Sequence, residues 1–526
     1  MATDGPAVRW TPPSGAYNAA VDMIDRNVVE GRGANLALID PATRLTYAEL
    51  AERVDRFANA MPRLGIAHEH RIALVMLDNV DLPVVFWGAI KAGVVPIPLN
   101  TLLPPETLRY MIEDSRADAV VVSAELLERI APVVDEIARR RHLHVIVSGR
   151  DGDQKLIGLG SLMSSSAASA TSANTHADDV AFWLYSSGST GMPKGTRHIQ
   201  SSPMATAKLF GQGILGIGPD DVVFSAAKLF FAYGLGNGMS FPFSVGATAV
   251  LMPDRPTPDS VMATMRANNP TIFYGVPTLF AAMLAHPELA NGAGSNRLRL
   301  CVSAGEALPE DLGTRWQKQV GIEVIDGIGS TELLHIFVSN RPGKVRYGSS
   351  GTPVPGYEAK LLDDDGSLVP PGEIGELVIR GPSAAEGYWL QRDKSRRTFR
   401  GEWTHTGDKY RIGDDGNYFY CGRTDDMFKV SGIWVSPFEV ESVLITHNAV
   451  LEAAVIGKED ADGLVKPAAF IVLKPGFAAD DKLLDELKAH VKAQAGAWKY
   501  PRWMNIRVEL PKTATGKIQR FKLREE

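Results

Sequence analysis

The stretch YSSGSTGMPKGTRH, residues 185–198, joins hydroxyl side chains, glycines and a lysine directly behind the apolar run DVAFWLYSS. Such a continuous apolar run is typical of a strand that is buried on both faces. Glycines let backbone amides approach an oxyanion closely, while the hydroxyls and Lys194 add donors and positive charge. The Walker pattern fails, because Pro193 stands where it requires a glycine. We therefore predict a phosphate-binding loop of another type, against the alternative of a polar surface loop.

Around this strand the chain alternates short β-branched runs with amphipathic segments, as in RIALVML followed by DLPVVFWGAIKAG. Such alternation is typical of βαβ units around a largely parallel sheet. From Glu373 onward, short alternating strands with glycine-rich turns predict an antiparallel sheet. The predicted fold is α/β, with a large N-terminal domain of βαβ-type sheets, a smaller antiparallel β subdomain and a small α+β C-terminal domain. We place the two domains at residues 1–424 and 425–526.

The 526 residues exceed what one hydrophobic core usually serves, which supports at least two domains. Lys and Arg (55) nearly balance Asp and Glu (61), so the net charge of -6 argues against a nucleic-acid-binding surface. Cys301 and Cys421 cannot form a disulfide framework and lack metal-ligand spacing, which favours a cytoplasmic protein. The N-terminus lacks a signal-peptide pattern and the apolar runs are short, so we expect no membrane insertion.

Five further segments follow the opening stretch along the chain. They are SAGEAL (residues 303–308), DGIGSTE (326–332), WTHTGD (403–408), GRTDDMFKVSG (422–432) and PKTATGK (511–517). With YSSGSTGMPKG they resemble, in order, the motifs of the adenylate-forming superfamily of acyl-CoA synthetases, peptide-synthetase adenylation domains and luciferases. Each motif alone is weak evidence, since an isolated charged residue is usually solvated. Six in the family's order identify the chain as a member of that superfamily.

This resemblance implies a site for ATP and Mg²⁺. Thr331 would contact phosphate, and Glu332 would hold Mg²⁺, a hard cation that prefers oxygen ligands. Lys517 would reach the reacting carboxylate and the α-phosphate, and together with Thr331 and Glu332 it forms the implied catalytic set. The implied ATP-binding residues, of which the last two would bond the ribose, are Ser186, Ser187, Gly188, Ser189, Thr190, Gly191, Lys194, Gly305, Glu306, Ala307, Asp326, Gly327, Ile328, Thr331, Asp408 and Arg423.

The resemblance also implies coenzyme A as the second substrate. A carboxylate would attack the α-phosphorus of ATP to give acyl-AMP and pyrophosphate. The small, mobile C-terminal domain would then rotate about Asp425, withdraw Lys517 and admit the thiol. The implied hinge and CoA residues are Asp425, Lys429, Ser431, Gly432 and Trp434. Trp434 departs from the family pattern, in which many acyl-CoA synthetases carry an arginine at this position.

The segment FFAYGLGNG resembles the family's aromatic gate. Phe231 stands where amino-acid-activating relatives place an aspartate, so an ammonium group would be buried unpaired and amino acids are not the expected substrates. Gly329 aligns with a bulky tryptophan of acetate-specific relatives and leaves space for a larger acid. Apolar and aromatic side chains suit a flat ring, although each of them would equally suit a protein core. The expected pocket residues are Ala227, Phe231, Tyr233, Ala304, Gly329, His335 and Ile336.

We therefore expect an ATP-dependent aromatic acid–CoA ligase that acts on benzoate or a close analogue. Three alternatives stay open: a medium-chain acyl-CoA synthetase with a longer tunnel, a luciferase-like oxygenase, and a nucleotide-binding regulator whose catalysis has lapsed. The retention of Glu332 and Lys517 argues against the regulator. The expected partners are a small aromatic carboxylate, ATP and CoA. A homodimer and a lysine acetyltransferase that removes the charge of Lys517 are further expectations.

Overall fold

The structure is a computed structural model that describes most of the chain. The described residues are 10–186, 192–291, 293–430, 433–461, 463–496, 498–512 and 518–525. Eight residues with predicted site roles lie outside these ranges: Ser187, Gly188, Ser189, Thr190, Gly191, Ser431, Gly432 and Lys517. The side chain of Trp434 is also outside the description, although its backbone is included.

The N-terminal part alternates strands and helices, as the βαβ pattern predicts. Its strands are β1 (Leu36–Ile39), β2 (Arg44–Thr46), β3 (Arg71–Val75), β4 (Val95–Pro98), β5 (Ala119–Ser123), β6 (His144–Ser148) and β7 (Ile157–Gly158). Its helices are α1 (Tyr47–Arg63), α2 (Asp81–Lys91), α3 (Pro105–Asp114), α4 (Ala124–Arg140) and α5 (Leu159–Ser164). Helix α1 begins with a capping box, in which the side chains of Thr46 and Glu49 each accept the other's backbone N–H.

The middle part begins with the predicted buried strand, β8 (Val180–Ser186). The strands that follow are β9 (Lys194–Ile199), β10 (Val222–Ser225), β11 (Thr248–Val250), β12 (Ile272–Gly275), β13 (Leu300–Ser303), β14 (Val324–Gly329), β15 (Ile336–Ser339) and β16 (Thr352–Pro353). The α-helices are α6 (Ser202–Thr206), α7 (Ala232–Leu235), α8 (Phe241–Val245), α9 (Pro258–Asn268), α10 (Pro277–Leu284) and α11 (Glu310–Val320). Single π or 3-10 helical segments lie at Val21–Asp25, Val28–Arg32, Ala207–Gln212, Gly236–Ser240, Pro287–Asn291 and Thr331–Leu333.

The remaining elements are mostly short strands. Before the predicted boundary they are β17 (Glu358–Leu362), β18 (Gly375–Arg380), β19 (Gly387–Tyr388), α12 (Arg392–Thr398), β20 (Phe399–Arg400), β21 (Trp403–Ile412) and β22 (Tyr418–Arg423). After it they are β23 (Phe428–Val430), β24 (Ile433–Val435), α13 (Pro437–Ile445), β25 (Val450–Glu459), β26 (Val465–Leu473), α14 (Asp481–Ala495), β27 (Trp503–Arg507) and α15 (Arg520–Arg524).

Two sheets of the described chain are built mainly from parallel strands. The larger has nine strands in the order β16-β15-β14-β13-β12-β10-β11-β1-β2, of which β14 through β1 run parallel. The other has five parallel strands in the order β4-β3-β5-β6-β7. Ligands of such sheets bind beyond the carboxyl ends of the strands. The segments after β12, β13 and β14 are therefore placed to form a site.

Antiparallel pairing predominates in the rest of the described chain, although β26 and β27 run parallel. One sheet has the order β17-β18-β21-β20 with β22 on β21, and a second has the order β19-β9-β8. The antiparallel region thus starts at β17, earlier than the predicted Glu373. The C-terminal elements contain a hairpin of β23 and β24 and a sheet with the order β25-β26-β27. These findings confirm the predicted α/β class with an antiparallel subdomain and a small α+β C-terminal part.

The C-terminal elements pack around cores of their own. In one of them, Val440 and Leu444 of α13 join Val455 of β25 and Leu487 of α14. A separate core agrees with a separate domain, but the boundary at Asp425 stays a prediction. None of the helices in the described ranges combines the length and apolarity that a membrane span needs.

Candidate active site

Three antiparallel strands bring distant parts of the chain to one carboxylate. Strand β8 ends at Ser186 and β9 begins at Lys194, so the predicted phosphate loop connects them. Strand β19 pairs with the other edge of β9 and ends at Tyr388. The carboxylate is that of Glu332, which lies in the 3-10 turn Thr331–Leu333 after β14.

Glu332 is held by two hydroxyl groups. Its Oε1 accepts hydrogen bonds from the Tyr388 hydroxyl at 2.8 Å and from Ser186 Oγ at 3.2 Å. Burial, and then the negative charge of Glu332, raise the pKa of Tyr388, so the phenol stays protonated and donates. Two donors on one oxygen fix the carboxylate's orientation, as required of an oxygen ligand for a hard cation.

Lys194 also contacts Tyr388. Its Nζ lies 4.2 Å from the centroid of the Tyr388 ring, a distance at which the ring face attracts a cation. Burial lowers the pKa of Lys194, and the charge of Glu332 opposes that shift. Tyr388 therefore connects the two predicted phosphate-side residues, with its ring on the ammonium group and its hydroxyl on the carboxylate.

Asp408 and Arg423 form a second polar pair. They are opposite each other in the pairing of β21 with β22, and Arg423 Nη1 lies 3.0 Å from Asp408 Oδ1. The same nitrogen donates to the carbonyl oxygen of Thr406 at 2.9 Å. The charge of Asp408 raises the pKa of Arg423. The fold thus brings together the two residues that the resemblance assigns to the ribose.

The predicted adenine turn, residues 305–307, follows the carboxyl end of β13. Asp326 in the neighbouring strand β14 is buried, and its Oδ2 accepts the backbone N–H of Leu308 at 3.4 Å. Burial raises the pKa of Asp326 well above its ordinary value. Its side chain therefore supports the turn from inside the protein. Gly327 and Ile328 continue the same strand toward the Glu332 turn.

On the predicted acid side, Tyr233 and His335 form hydrogen bonds to the protein itself. The Tyr233 hydroxyl donates to the carbonyl oxygens of Val302 at 3.0 Å and Gly275 at 3.3 Å. His335 Nε2 donates to the carbonyl oxygen of Tyr233 at 3.3 Å and to Asn237 Oδ1 at 3.1 Å. These bonds connect the gate segment to the ends of β12 and β13.

The imidazole of His335 is enclosed by aromatic rings. Its centroid lies 5.3 Å from that of Phe210, 5.5 Å from that of Tyr233 and 4.5 Å from that of Phe241. Burial lowers the pKa of His335 to about 3, so the ring is neutral. Its Nδ1 is enclosed and has no hydrogen-bond partner in the part of the chain that the structure describes.

The structure gives a reason for the glycine at residue 329 that the sequence did not reveal. A Cβ at this residue would lie 2.7 Å from both the carbonyl carbon and the carbonyl oxygen of His335. The pairing of β14 with β15, which is irregular between Ile328 and Gly329, creates this close approach. The strand pairing thus requires glycine whichever acid is bound. Of the other predicted pocket residues, Ala227 and Phe231 are half-buried, and Ala304 and Ile336 are buried.

The predicted hinge lies in a turn between β22 and β23, where Asp425 is exposed. Lys429 is an exposed residue of β23, and its partner in the hairpin is Trp434. The residue after the hinge, Asp426, forms ion pairs with Arg520, at 3.5 Å, and Arg524. Helix α15, which follows the predicted lysine motif, is therefore attached to the start of the C-terminal domain.

Sequence reasoning missed Tyr388, which forms the shortest described hydrogen bond to the side chain of Glu332. The two residues are 56 positions apart, and only the pairing of β19 with β9 brings them together. A glycine followed by two aromatic residues, Gly387 to Trp389, was the available signal. It was weak, because such a triplet occurs in many turns.

Comparison with protein families gives matches over most of the chain. The family described as AMP-binding enzyme matches residues 25–389, and its C-terminal domain matches residues 439–517. The chain belongs to the AMP-binding enzyme family. The first match contains the Glu332 cluster and the acid side, and the second ends at Lys517. Asp408, Arg423 and Asp425 lie between the two matched ranges, so their roles rest on the motifs and on the geometry.

Members of the AMP-binding enzyme family resemble the chain along almost its whole length. The chain is 55% identical to a benzoate–CoA ligase of Thauera aromatica over 520 residues, which cover 98% of each protein. A crystal structure of a benzoate CoA ligase from Burkholderia xenovorans LB400 matches with a TM-score of 0.89 and 51% identity, covering 97% of this chain and 100% of that one. The anthranilate CoA ligase AuaEII, solved with anthranoyl-AMP, matches with a TM-score of 0.92 and 42% identity, covering 100% and 98%.

Proposed function

We propose that the chain is an ATP-dependent aromatic acid–CoA ligase that converts benzoate, ATP and CoA to benzoyl-CoA, AMP and pyrophosphate. One observation carries the proposal: Tyr388 and Ser186 orient the carboxylate of Glu332, and three residues later in the chain the neutral His335 is enclosed by aromatic rings. The oriented carboxylate suits a hard cation, and the aromatic surroundings suit a flat ring. The names of the relatives, which are ligases of benzoate and anthranilate, support an aromatic acid as substrate.

In the first half-reaction a benzoate oxygen attacks the α-phosphorus of ATP. The bond from that phosphorus to the oxygen shared with the β-phosphate breaks, and pyrophosphate leaves with the electron pair. Ser186 and Lys194, with residues 187–191, would hold the departing phosphates, and Lys517 would hold the reacting oxygens. Preorganised groups of this kind stabilise charge that develops in the transition state.

Mg²⁺ would enter with ATP and neutralise phosphate charge. The donor set fits this ion, because Mg²⁺ in phosphate-transfer sites is bound by one or two carboxylates together with substrate phosphates. Glu332 is such a carboxylate, and Tyr388 and Ser186 orient it. Asp408 and Arg423 would place the nucleoside by bonding the ribose hydroxyls.

In the second half-reaction the CoA thiol attacks the carbonyl carbon of benzoyl-AMP. The thioester bond forms, the bond to the AMP oxygen breaks, the thiol proton leaves, and AMP is released. We propose that rotation of residues 425–526 about Asp425 separates the two steps. Lys517 would serve the first step alone, and Lys429, Ser431, Gly432 and Trp434 would line the route of CoA in the second.

The substrate is tested by AMP formation with ATP, CoA and a panel of benzoates and straight-chain acids of four to ten carbons. We expect benzoate to have the highest kcat/KM. A clear preference for hexanoate or octanoate would replace the aromatic assignment with a medium-chain acyl-CoA synthetase. Absence of acid-dependent pyrophosphate exchange with every acid would favour the regulator instead.

Domain alternation is tested by measuring the two half-reactions separately. We expect Lys517→Ala to abolish adenylation, which is measured by pyrophosphate exchange. The same variant should leave thioester formation from supplied benzoyl-AMP largely intact. Asp425→Pro is expected to have the opposite effect, because it blocks the hinge. Equal losses in both half-reactions for both variants would contradict the alternation.

Three further properties belong to the proposal. They are a cytoplasmic location, a homodimer, and acetylation of Lys517 as a means of regulation. Acetylation removes the positive charge that the first half-reaction needs. Full adenylation activity of enzyme quantitatively acetylated at Lys517 would refute the last property, and sedimentation of the purified chain as a monomer would refute the homodimer.

A further inference from the structure

The aromatic gate FFAYGLGNG, residues 230–238, and the five residues before it form one continuous stretch, residues 225–238, which is called the gate segment from here on. It leads from the end of β10 into the π-helical turn Gly236–Ser240 and carries Ala227, Phe231 and Tyr233. Its second half is fixed by the bonds of Tyr233 and Asn237 described above. Its first half is fixed by two charged residues with no role in the proposed chemistry, Asp78 and Lys228.

Asp78 reaches the gate segment from the other parallel sheet. It follows β3, and its Oδ2 accepts the backbone N–H of Leu229 at 3.1 Å across 151 residues of sequence. Asp78 is 4% exposed, and its Oδ1 is enclosed without a hydrogen-bond partner within the described ranges. A buried carboxylate that is only partly hydrogen-bonded costs stability, so this residue is better explained by a functional requirement than by packing.

Lys228, directly before Leu229, fixes the segment from the opposite direction. Its ammonium group donates to the carbonyl oxygens of Met252, Pro253 at 3.2 Å and Asp254 at 2.6 Å. These acceptors match the three N–H bonds of an ammonium group. The positive charge of Lys228 also lowers the pKa of Asp78, against the larger effect of burial. The two side chains therefore hold adjacent residues of the gate segment to two different parts of the domain.

A displacement at these two residues would pass directly to Phe231. The Phe231 N–H donates to the carbonyl oxygen of Lys228 at 3.0 Å, and Leu235 N–H donates to that of Phe231 at 2.8 Å. The backbone at Gly234 packs so closely against Lys228 that a Cβ on residue 234 would lie 2.0 Å from the carbonyl oxygen of Lys228. The backbone between residues 228 and 235 thus has little freedom to absorb a shift.

We propose that Asp78 and Lys228 form a latch that sets the position of Phe231 and thereby determines which aromatic acids the pocket accepts. The latch rests on the proposed function, in which the gate segment lines the acid pocket. Both are positioning residues, because they act through the backbone of residues 228–231. Their removal changes the discrimination between acids of different size, which a residue needed only for stability would leave unchanged.

The test is the ratio of kcat/KM for benzoate to that for a bulkier para-substituted benzoate, measured by pyrophosphate release. We expect Asp78→Ala to lower this ratio about tenfold, the lower end of what one methylene group is worth in an apolar pocket. Asp78→Asn is the matched control: its amide oxygen still accepts from Leu229 N–H, so the ratio is expected to stay within about twofold of wild type. The KM for ATP is expected to remain unchanged in both variants.

Lys228→Met provides the second, independent variant, because methionine keeps most of the side-chain volume and removes the ammonium group. We expect it to lower the ratio in the same direction, and the double variant to be no worse than the stronger single variant, since both act on one segment. If Asp78→Ala does not fold, Lys228→Met alone decides. Equal loss of activity toward both acids would show a structural role only and would overturn the latch. Failure of the wild-type protein to activate either acid would instead overturn the proposed function.

Discussion

The two sides of the candidate site satisfy their polar groups in different ways. On the phosphate side, Glu332 and Lys194 are half-buried, and both contact the buried side chain of Tyr388. On the acid side, Tyr233 and His335 direct their polar atoms to backbone carbonyls and to Asn237, inside a shell of aromatic rings. One side has charges that a ligand can rearrange, and the other is fixed by bonds within the protein, with Nδ1 of His335 left without a partner in the described ranges.

The difference fits the two tasks that the proposed reaction imposes. Phosphates and Mg²⁺ enter and leave in every turnover, so their ligands need partners that can be exchanged. An acid is selected by shape, so its pocket needs walls that do not move. Rigid walls discriminate between ligands because they cannot repack around a ligand of the wrong shape. The predictions below test this division, first on the phosphate side and last on the acid side.

Glu332→Gln is expected to have the largest effect. The amide keeps an oxygen that can accept from Tyr388, but it removes the negative charge that would bind Mg²⁺. We expect adenylation to fall about 10²–10³-fold, with little change in the KM for the acid. Pyrophosphate exchange measures the effect, and Glu288→Gln, in an exposed ion pair with Arg266, is the control. A loss below about tenfold would show that the Glu332 carboxylate is not the metal ligand.

Asp408→Asn and Arg423→Ala are expected to weaken the binding of ATP rather than the binding of the acid. Each removes a charged member of the pair at 3.0 Å, and a hydrogen bond to a charged group is worth about tenfold to hundredfold in affinity. The KM for ATP should rise by that factor while the KM for benzoate stays within about twofold. A rise in the KM for benzoate alone would assign the pair to the acid side.

Tyr388→Phe is expected to have a smaller effect on the same side. The variant loses the hydroxyl that donates to Glu332 and keeps the ring beneath Lys194. We expect adenylation to fall about fivefold to tenfold, because Ser186 still donates to the same oxygen. Tyr388→Leu, which also removes the ring, should lose more. Equal activities of the two variants would show that the contact with Lys194 contributes nothing.

The parts of the site that lie in continuous motifs could be selected from the sequence. The residue types around Ser186 and Lys194 indicated phosphate binding, the resemblance to the family added Glu332, and the fold brings the three close together. Continuous apolar runs that alternate with amphipathic segments likewise predicted the parallel sheets, because a strand that is buried on both faces is apolar along its whole length.

Residues that reach the site through tertiary pairing could not be predicted. Tyr388 arrives with β19, and Asp78 arrives from the loop after β3, in a different sheet. Neither has a neighbour in sequence that explains it. Gly329 was interpreted as a source of pocket space, whereas the close approach of the His335 backbone requires it. Contacts between backbones of different strands have no counterpart in local composition, so only the fold reveals them.

The smallest expected effect is a pH dependence of stability on the acid side. Burial raises the pKa of Asp78 to about 6, above the ordinary value for aspartate, so the folded protein disfavours the charged form. The contribution of Asp78 to the free energy of unfolding is therefore present at low pH and is lost as the pH rises through about 6. Asp78→Asn carries no such charge, so its melting temperature relative to wild type should increase, by roughly one to two degrees, between about pH 5 and about pH 7.5.

Thermal denaturation at these two pH values measures the difference. A relative melting temperature of Asp78→Asn that falls with rising pH would mean that the carboxylate is stabilised as an anion. Both sides would then contain a stabilised charge, and they would differ only in how exposed their residues are to solvent.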